Sequence, residues 1–376
     1  MRTTYLKIYQ DALRHNLRAV RQLVPQKTET VAIVKANAYG YGAVQVARMA
    51  VEEGYAAMAV AVTSEAQELR AAGITCPIYL LGLLMPDEFD DAFEADCIIP
   101  VCESTDLALL DKKAAELGKT ANVMIAVDSG MNRIGVKTEN GPAFLQSLAQ
   151  YPHLCVHGFF THYACADGES HAHVKRQMGL FANMVAKIPN PEKYIFTAAN
   201  SSTTLYFPES YYNAVRPGQI IYGYMPEGHA ETREQAAKLP HFESCLGLFS
   251  RVVHVHRVKA GDTVGYGATY KCAEDMWIGT VPIGYADGYP RCLSNVGEVL
   301  IGGRRYKIAG RVCMDQIMIE LGHETDVKIG DEVVLIGKQG SEEITIDEIA
   351  KLSGTIPNEI SCLLNPRIPR IYCNKY

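Results

Sequence analysis

The chain has 376 residues, 48% hydrophobic and 21% charged, with a formal net charge of −6 and a pI near 6.0. These values suit a soluble globular protein of roughly two domains and speak against nucleic-acid or membrane-surface partners. No run approaches about 18 consecutive apolar residues, the N-terminal "MRTTYLKIYQDALRHNLRAV" lacks a signal-type apolar core, and the 11 scattered cysteines without a CxxC pair suggest reduced thiols in the cytoplasm.

In chain order, "TYLKIY" (4–9) reads as a strand ahead of a first helix and is placed to pair with the C-terminal part. Short apolar runs follow: "VAIV" (31–34), "AAMAVAV" (56–62), "PIYLLG" (77–82), "CIIPV" (97–101), "NVMIAV" (122–127), "CVHGFF" (155–160), "YIFTAA" (194–199) and "QIIYG" (219–223). Amphipathic segments at 43–53, 64–72, 104–117, 141–150 and 172–187 lie between them. Near-continuous apolar strands separated by helices predict a parallel sheet covered by helices. Eight such units match an α/β fold closed into an eight-stranded β/α (TIM) barrel, here over residues 10–235. A doubly wound open sheet is the alternative, but "YGYGA" lacks the GxGxxG spacing. Beyond residue 240 the pattern turns to period two with glycine-containing turns, as in "LGLFSRVVHVHRV", "MWIGTVPIGY" and "DEVVLIGKQG". This predicts a mostly β C-terminal domain over 240–376, joined by residues 1–9, with a short helix near 346–352.

Barrel enzymes carry their sites at the C-terminal ends of the strands. Lys35 follows the first barrel strand, Arg133 in "DSGMNR" the fifth, His162 in "FFTHYACAD" the sixth and Ser201 in "ANSS" the seventh. Arg216 and Gly218 in "VRPGQ" precede the expected last strand. A lysine leaving a strand for solvent is the commoner case. Partial desolvation at a pocket rim would instead lower its pKa and make it a nucleophile. Ser201 and Gly218 fall in the corner where these barrels bind phosphate. A lysine plus a phosphate corner suggests pyridoxal 5′-phosphate held as a Schiff base.

"AIVKANAYGYG", "DSGMNRIGV", "FFTHYACAD", "AANSS", "VRPGQIIYG", "VGYGATY", "PIGYADGYPR" and "GRVCMDQIMI" closely resemble the bacterial alanine racemase family, in its order and spacing over essentially the whole chain. The resemblance implies a pyridoxal-phosphate-dependent isomerase, a barrel followed by a β-domain, working as a cytoplasmic homodimer with shared active sites. The reaction implied is interconversion of L- and D-alanine, supplying D-alanine for peptidoglycan. Lys35 and Tyr266 would be the two bases, Tyr266 reaching in from the partner subunit. Two bases on opposite faces suit a proton removed from one side of Cα and returned on the other. A tyrosine titrating near 10 needs polar help to act as a base at neutral pH; in the family it is hydrogen-bonded toward the residue at His162. The alternative for Tyr266 is a packed aromatic in a glycine-rich hairpin. Lys35, Tyr39, His162, Asn200, Ser201, Arg216, Gly218, Gln219 and Tyr222 would bind the cofactor. Arg216 would face its ring nitrogen and, always charged and only a donor, leave it unprotonated. Arg133, Met314, Tyr285 and Asp315 would bind substrate, the last three from the partner.

Two positions depart from the family. Ala126 stands where some members carry a carbamylated lysine, and Pro366 where some place a phosphate-contacting tyrosine. The second leaves a serine, or dual serine/alanine, racemase as the alternative function, since one hydroxyl shifts preference only modestly. A basic amino-acid decarboxylase shares the fold but lacks the paired "VGYGATY" and "CMDQ". A non-catalytic cofactor carrier would omit the second domain. His254 and His256 share one strand face without further ligands in register, so no metal site is expected.

Overall fold

Most apolar runs of the first two-thirds form strands buried on both faces, the condition under which parallel sheets occur. The computed structural model describes residues 2–168, 170–226, 237 and 239–375. It divides into two compact units: Leu13–Ala38 with Ala43–Glu243, and Met1–Ala12 with Tyr39–Gly42 and Ser244–Tyr376. Strand β1 (Tyr5–Tyr9) belongs to the second.

In the first unit β2 (Glu29–Ile33), β3 (Ala57–Val60), β4 (Ile78–Leu80), β5 (Cys97–Val101) and β6 (Ala121–Asp128) come first. The two-residue β7 (Val136–Lys137) pairs beside β6, and β8 (Leu154–Phe160), β9 (Ile195–Ala199) and β10 (Ala214–Val215) complete the set. Their order is β5-β4-β3-β2-β10-β9-β8-β6, and β5 pairs with β6, so the eight-stranded parallel barrel is closed. Helices Ala43–Glu52, Thr63–Ala71, Phe89–Glu94, Leu107–Glu116, Gly141–Ser147 and Ala172–Val185 alternate with the strands. In the first of these Ala43, Val46, Ala47, Met49 and Ala50 are buried, the spacing of a single helix face. Asp106 caps the fourth by accepting the Leu109 N–H at 3.0 Å. Gly158 lets β8 approach β9, since a Cβ there would lie 2.0 Å from the Ile195 carbonyl oxygen.

One strand lies elsewhere than the sequence reading placed it. The eighth is Ala214–Val215, and residues 219–222 curl into a 3₁₀ turn. Pro217 has no N–H with which to continue a ladder, and Ile220, Ile221 and Tyr222 are buried in the turn, giving a strand-like apolar run without a strand. Arg216 and Gly218 therefore follow the last strand, on the same rim as Lys35, Arg133, His162 and Ser201.

The second unit is mostly β. Strands β11 (Leu246–Arg251), β12 (His254–Val258), β13 (Thr263–Val264), β14 (Tyr270–Lys271), β15 (Met276–Val281), β16 (Glu298–Ile301), β17 (Arg304–Lys307), β18 (Ile317–Gly322), β19 (Glu332–Gln339), β20 (Glu342–Ile344) and β21 (Arg370–Cys373) are all antiparallel to their neighbours except one pair. The larger sheet runs β17-β16-β19-β11-β1-β21, with β20 on β19, and β1 and β21 are parallel. A second sheet is β12-β15-β18, and β13 pairs with β14. Helix Ile346–Ser353 is capped by Thr345, whose hydroxyl accepts the Glu348 N–H. No helix among the described residues is long and apolar enough to cross a membrane.

Candidate active site

Lys35 stands two residues beyond the end of β2, at the head of an unusual turn. Ala36, Asn37, Ala38 and Tyr39 all have left-handed dihedrals, with φ of 53°, 52°, 52° and 54°. A left-handed turn costs non-glycine residues roughly 1–2 kcal/mol each, so fixed contacts must hold it. Glu65, in the first turn of Thr63–Ala71, accepts the N–H of Ala36 at 2.6 Å and of Ala61 at 2.8 Å. Asn37 Oδ1 accepts the Ala43 N–H at 2.9 Å. Strain of this kind collects where geometry matters more than local propensity. Lys35 itself is half-buried.

Arg216 leaves β10 into the barrel interior and is buried. Its Nη1 donates to Thr197 Oγ1 at 2.7 Å and its Nη2 to the Thr161 carbonyl at 2.6 Å, engaging two of the five N–H groups of the guanidinium. Burial brings it down to about 10, with Arg133 adding to the fall and Tyr163 opposing it, so it stays cationic at neutral pH. His162 lies beside it. Burial first, then the charges of Arg216, Arg133 and Lys35, push this imidazole down to about 3. Three cations thus converge on one neutral histidine, which retains a lone pair and can accept a hydrogen bond. Arg133 is exposed, in the loop after β6, while Ala126 is wholly buried in that strand.

The neighbouring corner is built from backbone. Asn200 caps helix Ser201–Tyr206, accepting the Thr203 N–H at 3.1 Å, and its Nδ2 donates to the Tyr163 carbonyl at 3.4 Å. Ser201 Oγ accepts the Gly218 N–H at 2.9 Å, joining the helix start to the turn that carries Gln219. Tyr222, fully buried, donates from its hydroxyl to the Ile33 carbonyl at 2.7 Å and so steadies the end of β2, two residues before Lys35.

Tyr39 and the remaining expected residues lie in the second unit. Gly40 and Gly42, with φ of 86° and 101°, follow Tyr39 where a Cβ would meet the Ser361 carbonyl at 2.3 Å and the Tyr372 hydroxyl at 1.9 Å. Tyr266 sits between Gly265 and Gly267, both at φ 73°, and is 70% exposed, not the packed aromatic of the alternative reading. Its backbone N–H meets the Cys313 thiol. Tyr285 and Ala286 donate their N–H groups to the Cys313 and Met314 carbonyls, each at 3.0 Å, so the "GYADG" and "CMDQ" loops are one assembly. Asp315 Oδ1 accepts from Arg367 at 2.7 Å. Asn365 and Pro366 are exposed. Among the described residues, no group of three or more His, Cys, Asp or Glu could hold a metal ion.

Asp287 pins that assembly. It is fully buried and accepts from Arg2, from Arg367 at 2.6 Å and from the Gly284 N–H at 3.1 Å. Burial pushes its carboxyl up, but the hydrogen bonds from Arg2 and Arg367 outweigh this and hold it below the usual carboxylate range. Asp287→Asn should cost about 2 kcal/mol, less than a fully buried pair because both arginines are partly in water. Chemical denaturation measures it. The folded value is the depressed one, so the stabilisation is present above the unfolded pKa near 4 and is lost as pH falls through the folded value. The variant should therefore lose its stability deficit in acid.

Sequence reading named neither Thr161, Thr197, Glu65 nor the Asp287 network. Thr197, a hydroxyl interrupting the buried run "YIFTAA", was the one visible signal.

A closed β/α barrel with a lysine, two arginines and a neutral histidine on one rim, in a chain that also carries a mostly β unit, defines an enzyme of the lysine-barrel class that takes an anionic cofactor. The model described as alanine racemase, N-terminal domain, matches residues 8–226, and that for alanine racemase, C-terminal domain, matches 245–372. The chain is 40% identical to an alanine racemase of Desulforamulus reducens, over 98% of each chain. Among solved structures it resembles alanine racemase of Clostridium difficile 630 (34% identity, TM-score 0.91, 100% and 97% covered). It also resembles alanine racemase from Bacillus anthracis with bound L-Ala-P (37% identity, TM-score 0.88, 100% and 96% covered). The chain belongs to the alanine racemase family, isomerases that depend on pyridoxal phosphate. The rim fits that group: the helix start at Ser201 offers N–H groups without intrahelical partners, and the positive field already felt by His162 suits an anion.

Proposed function

We propose that this chain interconverts L- and D-alanine using Lys35 and Tyr266 as the two proton carriers, with Tyr266 supplied by a second copy of the chain. The observation that carries the reading is the convergence of Lys35, Arg133 and Arg216 on a neutral His162. Residues 10–235 would carry the cofactor, and 240–376 with 1–9 would complete the site of the other subunit. Lys35 would hold the cofactor through its amine. Tyr39, Ser201, Gly218 and the Gln219 backbone would hold its phosphate, with Asn200 and Tyr222 supporting them. When bound, the cofactor supplies an electron-accepting ring that makes the substrate Cα–H acidic.

The chain's own groups do the rest. Arg216 presents only N–H donors, so next to the cofactor it would leave a ring nitrogen unprotonated and limit side reactions. Arg133, exposed on its loop, orients the substrate carboxylate. Lys35 Nζ removes or returns the proton on one face of Cα, and Tyr266 Oη of the partner subunit does so on the other. His162, kept neutral, accepts from Tyr266 of the partner subunit and so orients its hydroxyl toward Cα. Tyr285 and Met314 of the partner subunit line the pocket with Asp315 of the partner subunit. The support for a dimer is the exposure of Tyr266 (70%), Met314 (52%) and Tyr285 (42%), large side chains on adjoining loops that call for a covering surface. D-Alanine made in the cytoplasm would serve peptidoglycan.

The relatives named above are alanine racemases, so the serine alternative draws no support from them. Parallel racemisation assays on L-alanine and L-serine with cofactor-loaded protein test the reading. Alanine should be preferred by about tenfold or more, within the roughly hundredfold that one added hydroxyl allows. Comparable serine turnover would overturn the choice of substrate and direct attention to Asn365 and Pro366.

A further inference from the structure

Helix Ala172–Val185 packs on the barrel through Val174, Phe181 and Met184, yet one buried residue on it is polar. Gln177 is 1% exposed and both ends of its amide are bonded. Oε1 accepts the Ala164 N–H at 2.9 Å, and Nε2 donates to the His162 carbonyl at 3.1 Å and to Ser129 Oγ at 3.2 Å. Ser129 Oγ lies 2.8 Å from Thr161 Oγ1, and the Thr161 carbonyl is the acceptor for Arg216. One side chain therefore grips the His162–Ala164 segment on both sides and ties it to the loop that carries Arg133.

That loop is shaped to be held. Asp128 Oδ1 accepts the N–H groups of Gly130 and Asn132, both at 2.9 Å. Gly130, at φ +135°, takes a backbone conformation that L side chains rarely adopt, and the loop runs in van der Waals contact with Gln177 there. If only packing were needed, a leucine or methionine would fill the position without burying an amide, whose desolvation is recovered only when its bonds are made. The amide's geometry serves alignment.

We infer that Gln177 is a positioning residue that holds the His162 and Arg133 loops in register, and so sets the orientation of the substrate carboxylate. This rests on the role given to Arg133 above. Gln177 acts through its neighbours and does not itself meet the substrate.

The test is a double-mutant cycle on cofactor-loaded protein, with kcat and KM measured for both alanine enantiomers. Gln177→Met should keep the visible band of the bound cofactor and raise KM about tenfold, with a smaller change in kcat. Arg133→Ala should raise KM by itself, and the double variant should be no worse than Arg133→Ala, because both act on one interaction. A Gln177→Met enzyme that melts earlier but keeps KM within about twofold per loaded site, or effects that multiply in the double variant, would overturn the inference. An unchanged KM in Arg133→Ala removes the reading of Arg133, and the inference with it. A raised KM in Arg133→Ala alone leaves that reading standing and removes only Gln177. Should Gln177→Met fail to fold, Ser129→Ala cuts the clamp from the loop side: KM should then rise about threefold, and an unchanged value overturns the inference.

Discussion

Lys35→Ala should abolish racemisation and the near-visible absorbance of the bound cofactor together, with the folded protein otherwise intact. Lys35 is the amine among the three cations around His162, and neither arginine can replace it, because a guanidinium stays protonated and is no nucleophile at neutral pH. Losing both the covalent anchor and one proton carrier should lower the rate by at least about 10⁴-fold. The fold should tolerate the change. The turn that follows is held by Glu65 on Ala36 N–H and by Asn37 on Ala43 N–H, contacts that do not use the lysine side chain. Absorbance spectroscopy after dialysis, with a thermal melt as control, reads the outcome. A visible band surviving in a well-folded Lys35→Ala protein would contradict the assignment of the anchor, whatever became of the activity.

The barrel was legible because its strands are buried on both faces and therefore read as unbroken apolar runs: "AMAV", "IYL" and "CIIPV" are buried throughout. The same signal misled at 219–223, where burial of Ile220, Ile221 and Tyr222 inside a 3₁₀ turn imitates a strand. The turn after Lys35 was legible in part. Gly40 and Gly42 do take positive φ, but the left-handed path begins at Ala36, four residues earlier than any glycine requires. Local propensity gives no hint of this, because alanine favours the right-handed helix. The tertiary anchors Glu65 and Asn37 impose the path. The partners of Arg216 were illegible for another reason: Thr161 lies 55 residues away and Thr197 19, and only closure of the barrel brings them to one guanidinium. Gln177 was hidden likewise, since within its helix it reads as one more solvent-facing polar residue.

Tyr266→Phe separates the two faces of the reaction. The variant keeps the ring and its place between Gly265 and Gly267, and loses only the hydroxyl. Overall racemisation should fall by roughly 10²–10⁴-fold, the usual contribution of a positioned acid or base. Its kcat/KM must fall equally in both directions, because L- and D-alanine are enantiomers with an equilibrium constant of one. Rates of racemisation therefore cannot identify which face Tyr266 serves, whereas exchange of the Cα proton with deuterated solvent can. Exchange from L-alanine should collapse while exchange from D-alanine, served by Lys35, persists; equal losses would sink the two-base scheme. Mixing settles whose site the tyrosine enters. Lys35→Ala and Tyr266→Ala subunits, each inactive alone, should together recover about a quarter of the unmutated activity per chain. Half of randomly formed dimers are mixed, and each of those holds one intact composite site of two. No recovery among demonstrated mixed dimers would place Tyr266 in its own chain's site, leaving its exposure in the second unit to be covered by something other than a second barrel.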